Sequence, residues 1–159
     1  MDTSILLIYT GGTIGMKIDP QTQALAPFDF SHIMEEVPEL KKFGYKLDSY
    51  SFDPVIDSSD ADIPFWQELV RIIEINYNKY DGFVVLHGTD TMSYTASALS
   101  FMLENLGKPV IFTGSQLPIG MLRTDGKENL ISSIEIAAAK DDEERALVPG
   151  GRIYFASQL

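Results

Sequence analysis

The sequence predicts an α/β domain, a parallel sheet covered by helices on both faces. Three observations carry this. Short apolar runs rich in Val and Ile recur along the chain, as strands buried on both faces do. Segments with helical spacing alternate with them, the rhythm of right-handed β-α-β units. At least two of the runs end in glycine followed by threonine, the place where open α/β sheets bind ligands.

The first strand is Ser4 to Tyr9, running into Thr10-Gly11-Gly12-Thr13-Ile14-Gly15. Gly15 to Phe30 has no strong periodicity and reads as a long loop beside a glycine-rich turn, a candidate lid. A short helix is expected over Ser31 to Glu36, ending near Pro38. The next helix spans Phe65 to Tyr77, with Leu69, Ile72, Ile73 and Tyr77 on one side and Pro64 at its start. Phe83 to Leu86 is the second strand, followed by His87-Gly88-Thr89-Asp90-Thr91 and a helix from Thr91 to Leu106. Gly107 and Pro109 stop that helix. Val110 to Thr113 is a third strand, Leu117 to Asn129 a loop, Glu128 to Ala139 a helix, and Ile153 to Ala156 a fourth strand. Asp141 to Arg145 reads as a charged, solvated turn. Together these make a three-layer, Rossmann-like domain over residues 1–159.

Composition narrows the chemistry. Twelve basic and 23 acidic residues give a formal charge of −11, which opposes binding to phosphate backbones or anionic membranes. No nucleic acid and no membrane partner is expected. Cysteine is absent, so disulfides and thiolate chemistry are excluded. The N-terminal Met1-Asp2-Thr3-Ser4 lacks the basic segment of a secretory signal, and a cytoplasmic location is expected.

Four polar segments could carry chemistry. In Thr10 to Gly15 the glycines allow a sharp turn and a close ligand approach. A dinucleotide loop would instead space them Gly-x-Gly-x-x-Gly and open into a helix, which Met16 to Pro20 does not resemble. Thr13 could equally be a local hydrogen-bonder in a tight turn. Thr89-Asp90 lies where a carboxylate can cap a helix. Asp57-Ser58-Ser59-Asp60-Ala61-Asp62 is a polar loop. It fails as a calcium loop, because Asp62 stands where a glycine is needed and Ala61 replaces an oxygen ligand. It can serve as a capping loop or hold both charges of a small zwitterion, Asp57 on an ammonium and the serines on a carboxylate. Thr113-Gly114-Ser115-Gln116 ends a further strand, but Ser115 is not in a nucleophile elbow. His32 reads as a surface residue and His87 as a structural one. No metal or organic cofactor is expected.

These segments together resemble the bacterial type I, cytoplasmic, L-asparaginases. The match runs through Tyr9 to Met16, Asp57 to Asp60, Leu86 to Met92 and Tyr94 to Gln116, and extends over nearly the whole chain. The resemblance implies a threonine amidohydrolase that converts L-asparagine to L-aspartate and ammonia. Thr13 matches the nucleophile, Thr89 and Asp90 the second threonine and the aspartate of the activating relay. Asp57, Ser58 and Ser59 match the substrate-binding loop, to which Thr89 and Asp90 also contribute. A homodimer or homotetramer is implied for the full-length family.

Two departures from the family follow. Its lid tyrosine aligns with Leu25, so no lid residue is carried over. Its relay lysine follows the strand that here is Ile153 to Ala156. None of the eight lysines (Lys17, Lys41, Lys42, Lys46, Lys79, Lys108, Lys127 and Lys140) sits in that context. The expectation is an N-terminal half without the family's smaller C-terminal domain, weak or inactive alone and prone to association. The alternative is a non-catalytic module that binds an amino acid or serves assembly.

Overall fold

The computed structural model describes residues 3–139 and, as backbone, 153–156. The charged turn Asp141–Arg145 and Lys140 lie outside the described residues. The strands are β1 Ser4–Tyr9, β2 Met16–Ile18, β3 Leu25–Pro27, β4 Lys46–Ser51, β5 Gly82–Leu86, β6 Val110–Thr113 and β7 Ile153–Ala156. The α-helices are α1 Ile33–Glu36, α2 Ile63–Asn76, α3 Met92–Met102 and α4 Gly126–Ala138.

Five strands form one parallel sheet in the order β4-β1-β5-β6-β7. Along β1 the side chains alternate between two cores. Ile5, Leu7 and Tyr9 join Val84, Leu86 and Ile111 beneath α1 and α4. Leu6 and Ile8 join Phe83, Val85, Val110 and Phe112 beneath α2 and α3. Burial on both faces is why these strands read as unbroken apolar runs.

The connections place the site. From β1 the chain crosses to β4 on one side, then returns to β5 on the other. The strand order therefore reverses between β1 and β5. In open α/β sheets a crevice forms at the carboxyl ends of strands at such a switch point. Both threonine-bearing turns leave from there.

Four elements differ from the sequence expectation. The loop expected over 15–30 contains an antiparallel hairpin, β2 paired with β3, with Lys17 opposite Ala26 and Ile18 opposite Leu25. Its tip is held by Asp19, whose side chain accepts the N–H of Gln21 and of Thr22. Edge strand β4 was not expected at all. Its sequence Lys-Leu-Asp-Ser-Tyr-Ser is largely exposed and carries no apolar run, and charge on an edge guards it against further pairing. Helix α3 stops at Met102, short of Leu106, and Asn105 follows in a left-handed conformation at φ 55°. The expected helix over 31–36 is a 3-10 turn, Phe30–His32, leading into α1. Among the described residues no helix is long and apolar enough to cross a membrane.

Candidate active site

The turn after β1 is built around Tyr9. Its hydroxyl donates to the Gly12 carbonyl at 3.2 Å, and burial pushes the phenol up to about 12, so it stays a donor. Gly12 adopts φ 89°, a left-handed-side conformation that glycine tolerates. A β-carbon there would lie 2.6 Å from the Cα of Gly88. The two threonine-bearing turns thus touch backbone to backbone. Gly88 in turn packs on Ser58, whose Oγ would stand 2.5 Å from a β-carbon at position 88. The Thr91 hydroxyl donates to the Ser58 carbonyl at 2.6 Å, and the Ile56 N–H donates to the Thr10 carbonyl at 2.8 Å. Three segments far apart in sequence are thereby fixed to one another.

Behind Gly88 stands His87, fully buried. Its Nδ1 lies 2.7 Å from the Gly88 carbonyl, a contact only an N–H can make favourably. Nε2 then accepts from the Thr95 hydroxyl at 2.9 Å, and that hydroxyl accepts from Trp66 Nε1 at 3.1 Å. The network is satisfied by a neutral imidazole, and burial lowers its pKa further. His87 supports the turn and does not face the cavity.

The cavity has a volume of about 420 Å³ and is lined by Gly12, Thr13, Asp57, Ser58, Thr89 and Asp90, with Met16, Leu25, Val55 and Ile56 as its apolar part. It brings together five of the six residues singled out from sequence. Ser59 is the exception. Both its N–H and its hydroxyl donate to the same oxygen of Asp57, at 2.9 and 2.8 Å. These bonds hold the Asp57 carboxyl below its ordinary range, so the carboxylate is kept charged.

Asp90 could have been a helix cap. Thr91 instead occupies the N-cap of α3, without a side-chain cap bond. The exposed Asp90 carboxylate makes no hydrogen bond to another described residue, and neither does the Thr13 hydroxyl. Asp62 caps α2, accepting the Phe65 N–H at 3.0 Å, while Asp57 caps the 3-10 turn Ser58–Asp60 through its bond from the Ser59 N–H. The polar loop therefore divides into an end that caps α2 and an end that lines the cavity.

The sequence marks Thr113 to Gln116 as a polar segment past a strand but assigns no role to Gln116, whose Nε2 reaches the Thr89 hydroxyl at 3.4 Å. The loop carrying it is pinned by Asp125, which accepts the N–H of Gln116 and of Leu117 at 2.9 and 3.1 Å. Asn129 adds a bond to the Gly114 carbonyl at 2.9 Å. The only sequence signal was the position of Gln116 three residues past a strand. Ser115 is buried and donates to the Leu117 carbonyl, so it is structural. Leu25 lines the cavity from the hairpin; no periodicity pointed to it.

Residues 4–159 match the family model described as Asparaginase, N-terminal. L-asparaginase 1 of Escherichia coli strain K12 is 45% identical over 159 aligned residues, covering 95% of this chain and 45% of that protein. The crystal structure of L-asparaginase I from Vibrio cholerae aligns with TM-score 0.74 and 46% identity, over 87% of this chain and 42% of that one. The thermostable L-asparaginase from Thermococcus kodakarensis aligns with TM-score 0.81 and 31% identity, over 97% of this chain and 44% of that one. The chain thus spans a little under half the length of these relatives. Sheet, turns and match together show that it belongs to the asparaginase family.

Proposed function

We propose that the cavity binds L-asparagine and that this chain is the substrate-binding and nucleophile-bearing half of an L-asparaginase. The observation that carries the reading is the convergence of Thr13, Asp57, Ser58, Thr89 and Asp90 on one small cavity. A zwitterionic amino acid needs an anion for its ammonium and donors for its carboxylate. Asp57 and Asp90 supply the first, and the Ser58 hydroxyl is a donor for the second.

Thr13 is the nucleophile of this proposal. Its oxygen bonds to the side-chain amide carbon while its proton passes to a base. Turn N–H groups around the glycines stabilise the amide oxygen as it becomes negative. The C–N bond then breaks, and ammonia leaves after taking up a proton. Water attacks the resulting ester, releasing aspartate and restoring the Thr13 hydroxyl. Thr89, held by Gln116, and Asp90 relay the proton.

No lysine lines the cavity among the described residues. A threonine hydroxyl is a weak nucleophile without a strong base. With no strong base in that lining, the purified chain is expected to bind substrate and to turn it over slowly. Calorimetry on the purified chain is expected to show saturable L-asparagine binding. Ammonia release is expected to be slower by about two orders of magnitude or more than in a full-length relative. Absence of binding would overturn the substrate assignment. In a form that turns over, Thr13→Ala is expected to retain binding and lose ammonia release; intact turnover would remove Thr13 as nucleophile. Binding with no hydrolysis in any form would favour an amino-acid-binding module.

A further inference from the structure

The β2–β3 hairpin has two faces with different duties. Opposed residues of an antiparallel pair share a face, so Met16 and Leu25 fall on one side and Lys17 and Ala26 on the other. Met16 and Leu25 line the substrate cavity. Lys17 and Ala26 line a separate cleft of about 680 Å³ between the hairpin and α1, to which Ile18 and Pro27 at the hairpin's margins also contribute. There the Lys17 ammonium pairs with Glu36 of α1 and lies 5.8 Å from the centroid of the Phe28 ring. The loop after β6 backs the pair: a β-carbon on Gly120 would stand 3.9 Å from Lys17 Cγ and 4.0 Å from Glu36 Oε2.

We propose that Lys17 and Glu36 form an ionic latch that sets the hairpin over the cavity, acting as positioning residues for whatever the cavity binds. Each hairpin strand has three residues, and an isolated two-stranded hairpin is marginal in water. Its cavity face packs little, since Leu25 is 57% exposed. The Phe28 N–H fixes the hairpin's base by donating to the Gly15 carbonyl at 2.7 Å, and beyond that base the opposite face supplies an ion pair to the body of the domain. Glu36 is a firm anchor because its neighbours Ile33 and Val37 are buried in the core. The pair itself remains partly solvated, with side chains 49% and 26% exposed. An ion pair of this kind is weak and screened by salt. It holds the hairpin without locking it, which lets a ligand enter and leave.

That the ligand is L-asparagine rests on the reading above; the latch does not. Hydrogen exchange of the purified chain tests it. Lys17→Gln and Glu36→Gln are each expected to speed exchange at the Asp19 and Gln23 amides by about two- to fivefold. The Val84 and Ile111 amides in the sheet should not change. The double exchange Lys17→Glu with Glu36→Lys is expected to restore slow exchange. High salt should accelerate the native chain but neither single variant. Unchanged exchange in the single variants, or no recovery in the double one, would overturn the latch. Calorimetry separates the two readings. Lys17→Gln should weaken L-asparagine binding by the same about two- to fivefold factor, recovered in the double variant. A native chain that binds no asparagine defeats the substrate reading, while the exchange data still judge the latch.

Discussion

At Gly12 a single hydrogen in place of a side chain decides whether the site can exist. A methyl group there would meet Gly88 backbone, which has no flexible end to yield. Gly12→Ala is expected to destabilise the chain by about 2–4 kcal/mol, from the strained φ and the overpacking together, and to abolish L-asparagine binding. Urea unfolding and calorimetry check the two effects. His87 gives a second test. Its folded pKa is lowered by burial, so the unfolded chain takes up the proton first. The stability it contributes is present above an unfolded pKa of about 6.5 and is lost as pH falls through the folded value. The urea midpoint of the native chain should therefore fall between pH 7 and 5, and His87→Gln should flatten that fall. An equal slope in both proteins would show that His87 does not set it. At this scale the sequence was informative where polar residues follow strands. Thr13 and Thr89 stand out because a glycine and an apolar run precede each. Gln116 shares that pattern, following an apolar run and Gly114, but its contact with Thr89 arises only when β5 and β6 lie side by side.

Elements were legible in proportion to the regularity of their burial. β1, β5 and β6 are buried on both faces and show as apolar runs. Helix α2 shows through Leu69, Ile72 and Ile73, all buried. The structure starts it two residues before Phe65 because Asp62 caps it and Pro64 fits its first turn. Asp62→Ala is expected to cost about 1 kcal/mol, read as a lower urea midpoint, and to leave L-asparagine binding unchanged. That contrast would separate the α2-capping end of the loop from the end at Asp57. β4 and the β2–β3 hairpin were illegible for the same reason as each other. They lie at an edge and over a cavity, where few side chains are buried and no period is imposed on the sequence.

For the whole molecule the strand order matters most. Alternation of strands and helices announced a parallel sheet, but nothing local stated that β4 lies on the far side of β1 from β5. That choice creates the crevice, and it belongs to the order of the sheet and not to any one segment. Surface charge is set at the same scale. A formal charge of −11 adds a repulsive contribution between copies of the chain, which opposes the association expected from its sequence. Light scattering is expected to rise as pH approaches the sequence pI of about 4.4 and to fall again on either side. A flat profile would show that apolar contacts, not net charge, govern its association. The backbone contact between Gly12 and Gly88 reaches further still. It makes the two turns one heritable part, although 75 residues of sequence lie between them. A chimera assembled from this chain and a diverged relative should keep both turns from one parent. Crossovers between positions 12 and 88 would join surfaces never selected to meet, whereas crossovers after residue 91 would leave the pair intact.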